Sequence, residues 1–286
     1  MSISTTEFVQ LRDIIADLCG IRLADDKRYL AEQRLEALLP LTPGCKWSDL
    51  SLHLRQGTLP GLKEKVIDLI STNETFFFRD EHPFETFRKV LLPKYVAELQ
   101  AARSRYGSSA KILLWSAASS SGQEAYSLAM LIREYLEEVR PAGLSLQDFN
   151  IIGSDISDAI LAKAKAGLYS DLEMRRGLTE ARRQKHFQRE GSGWRIQAPL
   201  RAMVQFRKMN LIKDPFPENC YSVVFCRNVL IYFDLAAKKS ILAKLHRSMT
   251  ASASLVLGAS EGTFTISDSF ATVNAANIVF HQKLAK

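Results

Sequence analysis

From Ile112 onward, short apolar runs alternate with amphipathic helical stretches, and no other feature of the chain restricts its fold so strongly. Ile112 to Ser116, Asn150 to Ser154, Met203 to Lys208, Ser222 to Cys226 and Ser254 to Gly258 read as strands, and most of the intervals between them carry helical spacing. Strands that follow one another through helices lie parallel, so the alternation predicts an α/β fold with a largely parallel sheet covered by helices. Near the end, "FATVNAANIVFHQKL" reads as an antiparallel pair that closes one edge and makes the sheet mixed.

Upstream of this pattern the periodicity is helical only. Phe8, Leu11, Ile14, Ile15 and Leu18 recur at helix spacing, as do Leu30, Leu35, Leu38 and Leu39, and then Leu62, Val66, Leu69 and Ile70. Gly20 closes the first helix, and Pro43-Gly44 and Pro60-Gly61 punctuate the others. A chain of 286 residues exceeds the usual single domain. We therefore expect a small all-α domain over 1–72, a linker with a long helix from about Glu81 to Arg103 within 73–105, and the α/β domain over 106–286. No window reaches the roughly 18 apolar residues of a membrane span, and "MSISTTEFVQLRD" lacks a basic start followed by an apolar stretch, so a cytoplasmic protein is expected. Cys19, Cys45, Cys220 and Cys226 have no spacing that suggests zinc or a disulfide framework, and they read as reduced packing residues.

The first strand runs into its helix through "SAASSSGQEAYSLAM", Ser116 to Met130. In a parallel sheet, ligands sit at the carboxyl ends of strands, where small residues allow close approach and a helix N-terminus offers amide donors. Taken alone, the turn is a weak signal, because serine-rich turns also simply cap helices and only one glycine of a possible G-x-G-x-x-G is present. "FNIIGSDIS" ends its apolar run at Asp155, a carboxylate that can accept hydrogen bonds from both hydroxyls of a ribose. Alone, it too reads equally as the cap of a helix starting near Ser157. Asn210 and Arg227-Asn228 fall at two further strand ends, so polar residues stand at four tips of one sheet edge.

The series "STNETFFFRD", "WSAASSSGQEAYSLAML", "IIGSDIS", "LAKAKAGLYS", "MNLI" and "FCRNVLIYFD" resembles the CheR family of chemotaxis receptor methyltransferases, from "GIRLADDKRYLAEQRL" to "GASEG" near the C-terminus. The resemblance implies an S-adenosylmethionine-dependent methyltransferase of Rossmann-like fold, with a small antiparallel β subdomain inserted at about 184–206. It implies S-adenosyl-L-methionine as methyl donor, S-adenosyl-L-homocysteine as product, and glutamate side chains on the cytoplasmic domain of a chemoreceptor as acceptors. A monomer without nucleic acid or membrane insertion is expected. Residue by residue, it puts Asn73, Thr75 and Arg79 beside the cofactor and the reacting methyl, Ala118 and Glu124 at the turn and first helix, and Asp155 on the ribose. Asn210-Leu211 would flank the adenine, Arg227-Asn228 would contact the cofactor, and Tyr232 would stand near the methyl group. Arg79 and Tyr232 are the candidate catalytic residues.

The reaction needs no general base, because a glutamate with a pKa of about 4.3 is already ionised at neutral pH. Alignment and exclusion of water remain, and a guanidinium such as that of Arg79 can hold a carboxylate by a forked pair of hydrogen bonds. The bland reading makes Arg79 an ion-pair partner of Asp80 or Glu81. The turn departs from the family pattern at Ser121, Gln123 and Ala125, and Gln123 removes a negative charge that would stand beside a sulfonium, which predicts weaker cofactor affinity.

The net charge of +7 is concentrated. Residues 172–213 hold 11 Lys and Arg against 3 Asp and Glu. Within this stretch "HFQREGSGWRIQ" reads as a hairpin with Gly191 to Gly193 as its turn, shorter than in family members that grip a tethering peptide, so independence of a tether is expected. The arginines from Arg175 to Arg201 either meet the acidic receptor bundle or are balanced by countercharges elsewhere in the fold. Two other functions compete. An RNA methyltransferase of the amino-methylating kind would carry Asn/Asp-Pro-Pro-aromatic where this chain has Arg227-Asn228-Val229-Leu230, and a scaffold that binds without turnover is opposed by Asn73, Arg79, Asp155 and Tyr232.

Overall fold

The computed structural model describes residues 2–107, 110–275 and 278–284. The chain opens with four helices, α1 (Thr5–Cys19), α2 (Arg28–Leu35), α3 (Trp47–Gln56) and α4 (Leu62–Ile70). Ser4 and Glu7 form a reciprocal capping box at the start of α1, and Gly20 ends it in the left-handed region at φ 78°. Phe8, Leu11, Ile15, Leu35, Trp47, Leu50 and Val66 are buried together, each worth roughly 1.5–3 kcal/mol of burial. The periodic reading misses α3 because its helical stripe is short, Trp47, Leu50 and Leu54 facing inward while Leu52 stays exposed.

The long helix expected after this region is interrupted. It consists of α5 (His82–Thr86), a π-helical turn over Phe87–Leu91, and α6 (Leu92–Tyr106). The wide turn lies immediately before Pro93, which lacks the amide that would continue the α-helical ladder. The chain then runs through β1 (Ile112–Ala117), α7 (Gln123–Val139), β2 (Phe149–Asp155), α8 (Asp158–Ala166), β3 (Leu168–Ser170), α9 (Asp171–Arg175) and α10 (Glu180–His186). It continues with β4 (Phe187–Glu190), β5 (Gly193–Ile196), α11 (Ala198–Ala202), β6 (Val204–Lys208), β7 (Tyr221–Cys226), α12 (Leu235–Ser248), β8 (Met249–Leu257), β9 (Phe270–Ala275) and β10 (Ile278–Lys283).

The main sheet has the order β6-β2-β1-β7-β8-β10-β9. β6, β2, β1, β7 and β8 pair in parallel, and β10 and β9 close the edge antiparallel, so the mixed Rossmann-like sheet read from the sequence is the one observed. Residues 276 and 277, between the last two strands, lie outside the described residues. From β1 the chain steps outward to β2 and β6, then returns to β7 on the other side. The carboxyl ends of β1, β2 and β7 therefore meet at the topological switch point, where a crevice opens. Among the described residues no helix is long and apolar enough to cross a membrane.

A second, antiparallel sheet has the order β3-β5-β4. Its hairpin turns on Gly191 and Ser192 alone, since Gly193 already pairs as the first residue of β5. The strand β3, too short to show a period, completes it. Tyr169 and Phe187 pack edge-on against Phe77 at ring-centroid distances of 5.0 and 5.4 Å, which fastens the small sheet to the segment after α4. The thiols are free, but only Cys19 and Cys226 are buried; Cys45 is exposed on a turn at φ 53°, so the reading of all four as packing residues fails there.

Candidate active site

The turn after β1 explains its own composition. Ala118, Ser120 and Gly122 all lie in the left-handed region, at φ 53°, 49° and 90°, where bulky and β-branched residues are strained. A Cβ on Gly122 would stand 2.8 Å from the Phe206 ring. The conformation turns backbone donors onto the neighbouring strand: Ser119 N donates to Ser154 O at 2.8 Å and Ser120 N to Asp155 Oδ2 at 2.9 Å. Asp155 Oδ1 also accepts from Ser157 N at 3.1 Å. The Asp155 carboxyl is almost wholly enclosed, and burial pushes its pKa up against the lowering effect of these amides.

Across the crevice, Arg227 at the end of β7 joins three segments. Its guanidinium donates to Glu124 Oε2 at 3.0 Å, to Asp80 Oδ2 at 2.7 Å and to the carbonyl of Arg79 at 2.9 Å. Glu124, in the first turn of α7, also accepts from Ser116 Oγ at 2.7 Å. Arg227 and Glu124 form a buried ion pair, and Asp80, whose side chain is 40% exposed, extends it toward solvent.

The segment that crosses the mouth is strained. Phe78, Asp80 and Glu81 have φ values of 53°, 68° and 45°, without a glycine among them. The carbonyl of Arg79 is held by Arg227, and Phe78 N donates to Ser127 Oγ at 3.0 Å, so α7 and β7 between them fix this backbone. Arg79 itself donates to the carbonyl of Glu74 at 2.6 Å and lies 5.8 Å from the Phe76 ring. Asp80, read from the sequence as a partner for Arg79, is taken by Arg227 instead.

Asn73, Thr75, Arg79, Ala118, Glu124, Asp155, Leu211, Arg227, Asn228 and Tyr232 all line one cleft. Cys19 and Ile21 from the end of α1 complete its wall. Asn210 takes a different place. Its side chain donates to the carbonyl of Leu18 at 2.9 Å and accepts from Ile212 N and Lys213 N, so it ties the loop after β6 to the helical region. Gln123 also stays out of the cleft, buried with its amide oxygen accepting from Ser121 Oγ at 2.8 Å. Its side chain is therefore not among the groups that would touch a bound cofactor. Glu261 was not singled out from the sequence. It follows β8 within the quoted "GASEG", and its carboxylate accepts amides from the loop that carries Asn228 and Tyr232. An acid close behind a strand end is the one signal that marks it.

The family description "CheR methyltransferase, SAM binding domain" matches residues 73–279. Chemotaxis protein methyltransferase Cher2 of Pseudomonas putida is 34% identical over 283 residues, covering 99% of each chain. Chemotaxis protein methyltransferase 1 of Pseudomonas aeruginosa is 36% identical over 285 residues, covering 99% of this chain and 100% of its own. The enzyme of the same name from Vibrio cholerae is 36% identical over 274 residues, covering 96% of this chain and 95% of its own. With a crevice at the switch point of a Rossmann-like sheet and matches that run the length of the protein, this chain belongs to the CheR methyltransferase family.

Proposed function

We propose that the protein transfers the methyl group of S-adenosyl-L-methionine to glutamate side chains on the cytoplasmic helical region of a chemoreceptor, releasing S-adenosyl-L-homocysteine. The residues present fit such a cofactor. Ser119 Oγ and Arg227 Nε, both on cleft-lining residues, are buried without a hydrogen-bond partner among the described residues. Asp155 keeps lone pairs beyond its two amide donors and has the chemistry to accept from a vicinal diol. Ile156, Met209 and Leu211 supply an apolar wall for a base. When bound, the cofactor supplies an electrophilic methyl on a sulfonium.

The single observation that carries the choice of acceptor is the state of the two arginines. Arg227 is enclosed by Glu124 and Asp80, whereas Arg79 lines the same cleft with no carboxylate in ion-pair distance among the described residues. Its remaining N–H groups can receive an incoming carboxylate in a forked pair, which a lysine does less well. The acceptor is already ionised at neutral pH, so the residues need only orient it. A carboxylate oxygen bonds to the methyl carbon as the carbon–sulfur bond breaks, and the bonding pair stays on sulfur. Tyr232, on the 3₁₀ turn that walls the cleft, stands where it can position either reactant. The hairpin turn of Gly191 and Ser192 supports action without a receptor tethering peptide.

The test is transfer of labelled methyl from S-adenosyl-L-methionine to chemoreceptor-containing membranes, followed by release of methanol in mild alkali. Base-labile label on the receptor is the expected result, equal on receptors with and without their C-terminal tail. Label that resists alkali would refute a carboxyl ester.

A further inference from the structure

The loop that leaves β7 has no regular secondary structure over Asn228 and Val229, and Asn228 sits at φ 57°. Its backbone amides nevertheless share one acceptor. Glu261 Oε2 accepts from Asn228 N at 2.7 Å and from Gly258 N at 2.8 Å, while Oε1 accepts from Val229 N at 2.9 Å, Leu230 N at 2.7 Å and Ile231 N at 3.3 Å. Five amides converging on one carboxylate make an anion nest whose anion comes from the chain itself. Asn228, Val229 and Tyr232 from this loop line the cleft, and Glu261 does not.

Gly258 supplies a second, independent sign that the carboxylate is seated on purpose. A Cβ there would lie 2.6 Å from Glu261 Oε2 and 3.0 Å from Asn228 N, so only glycine lets the acid reach the nest from behind β8. Glu261 N also donates to Gly258 O at 2.9 Å, which folds the turn that aims the side chain.

We infer that Glu261 is a positioning residue for methyl transfer. Its ionised carboxylate fixes the loop over residues 228–231, and through that loop it sets where Asn228 and Tyr232 stand in the cleft. The inference rests on the methyltransferase reading above. A neutral side chain of the same size does not substitute, because a glutamine has one acceptor oxygen and presents N–H donors to the other amides. The lost bonds are charge-assisted and four of the five are partly buried, so loosening is expected rather than a small adjustment.

The experiment compares the wild type with E261Q, G258A and the double variant in the full chain. It measures dissociation constants for S-adenosyl-L-homocysteine by calorimetry, kcat at saturating cofactor, and thermal unfolding. E261Q is expected to weaken binding about tenfold and to lower kcat a further tenfold or so, because alignment as well as affinity depends on the loop. G258A leaves the charge in place but displaces it, and is expected to show the same two effects. The double variant is expected to be little worse than either, since both remove one device. Wild-type kcat and binding in E261Q would overturn the inference, whether or not its melting temperature falls. Effects of E261Q and G258A that multiply in the double variant would overturn it as well. A wild type that neither binds S-adenosyl-L-homocysteine nor transfers methyl would instead overturn the underlying functional reading, so the two failures are distinct.

Discussion

Replacing Arg227 by methionine tests the joint on which the cleft depends. The magnitude follows from which of its partners is buried. Asp80 is 40% exposed at its side chain, so its pair with Arg227 is worth little by itself, about 0–1 kcal/mol. Glu124 is 12% exposed at its side chain, and R227M leaves its carboxylate without a countercharge. Breaking a buried pair on one side costs about 3–5 kcal/mol, which at about 2–4 °C per kcal/mol lowers the melting temperature by about 6 to 20 °C. Removing both charges should restore most of that. E124Q keeps an acceptor for Ser116 Oγ, so E124Q/R227M is expected to melt within a few degrees of the wild type. Methyl transfer is not expected to return with stability, because the double variant still lacks the donor to the Arg79 carbonyl that holds the strained segment. Differential scanning fluorimetry and a single-turnover methylation assay on the three variants separate the two effects. A double variant as unstable as R227M would refute the unpaired carboxylate as the source of the cost. Recovery of transfer along with stability would refute the role given to the Arg79 carbonyl.

Three further outcomes are expected. Burial raises the pKa of Asp155, so cofactor affinity should decline at a higher pH than an ordinary aspartate would give. The sign separates this from acid unfolding: a raised carboxyl costs stability when ionised and releases that cost as pH falls, so the fold should hold while binding weakens. Calorimetry in two buffers should detect proton release on binding, and D155N should abolish both the release and the pH slope. Burial alone would raise Glu134, but hydrogen bonds from His186 and Arg182 outweigh it and hold the pKa at about 2. Its stabilisation, about 3 kcal/mol, is present above the ordinary value and lost as pH falls from about 4.5 through about 2. The stability difference between wild type and E134Q should shrink across that window in acid titrations, and a constant difference would refute the assignment. Charge reversal at Arg175 and Arg201, both exposed, should leave the melting temperature unchanged, while R182E should lower it by about 3 kcal/mol of stability because it faces Glu134; equal melting temperatures would refute the distinction.

Alternation of apolar runs with helical spacing was enough to read the sheet, because the central strands β1, β2 and β7 are buried on both faces and so read as short continuous apolar runs. β3 escaped because three residues hold no period, and α3 because its inward stripe is only three residues long. The cleft residues were legible where they stand at strand ends, as Asp155 and Arg227 do. Asn210 stands at such an end too, yet its amide closes a turn and bonds the helical region, a choice that spacing cannot express. Glu261 was marked only as an acid close behind a strand end, because its partners are backbone amides, which carry no sequence signature.

The basic segment shows how a charge count and a charged surface part company. Arg182 makes a two-point contact with Glu134, at 2.9 and 2.8 Å, and lies over the Phe78 ring at 4.1 Å. Lys185 reaches Glu137, Arg189 reaches Asp171, Arg176 reaches Glu74, and Arg183 and Arg195 pair with Glu180 and Glu190. Glu134 and Glu137 lie on α7, outside the counted stretch, so the excess seen along the chain is partly cancelled in space. The pairs made by Arg182 and Lys185 bind α10, which leads into the small sheet, to the helix that opens at the cleft. An acidic receptor bundle approaching this face would have to compete with bonds already made, and Arg175 and Arg201, exposed and outside those pairs, are where it would meet less opposition.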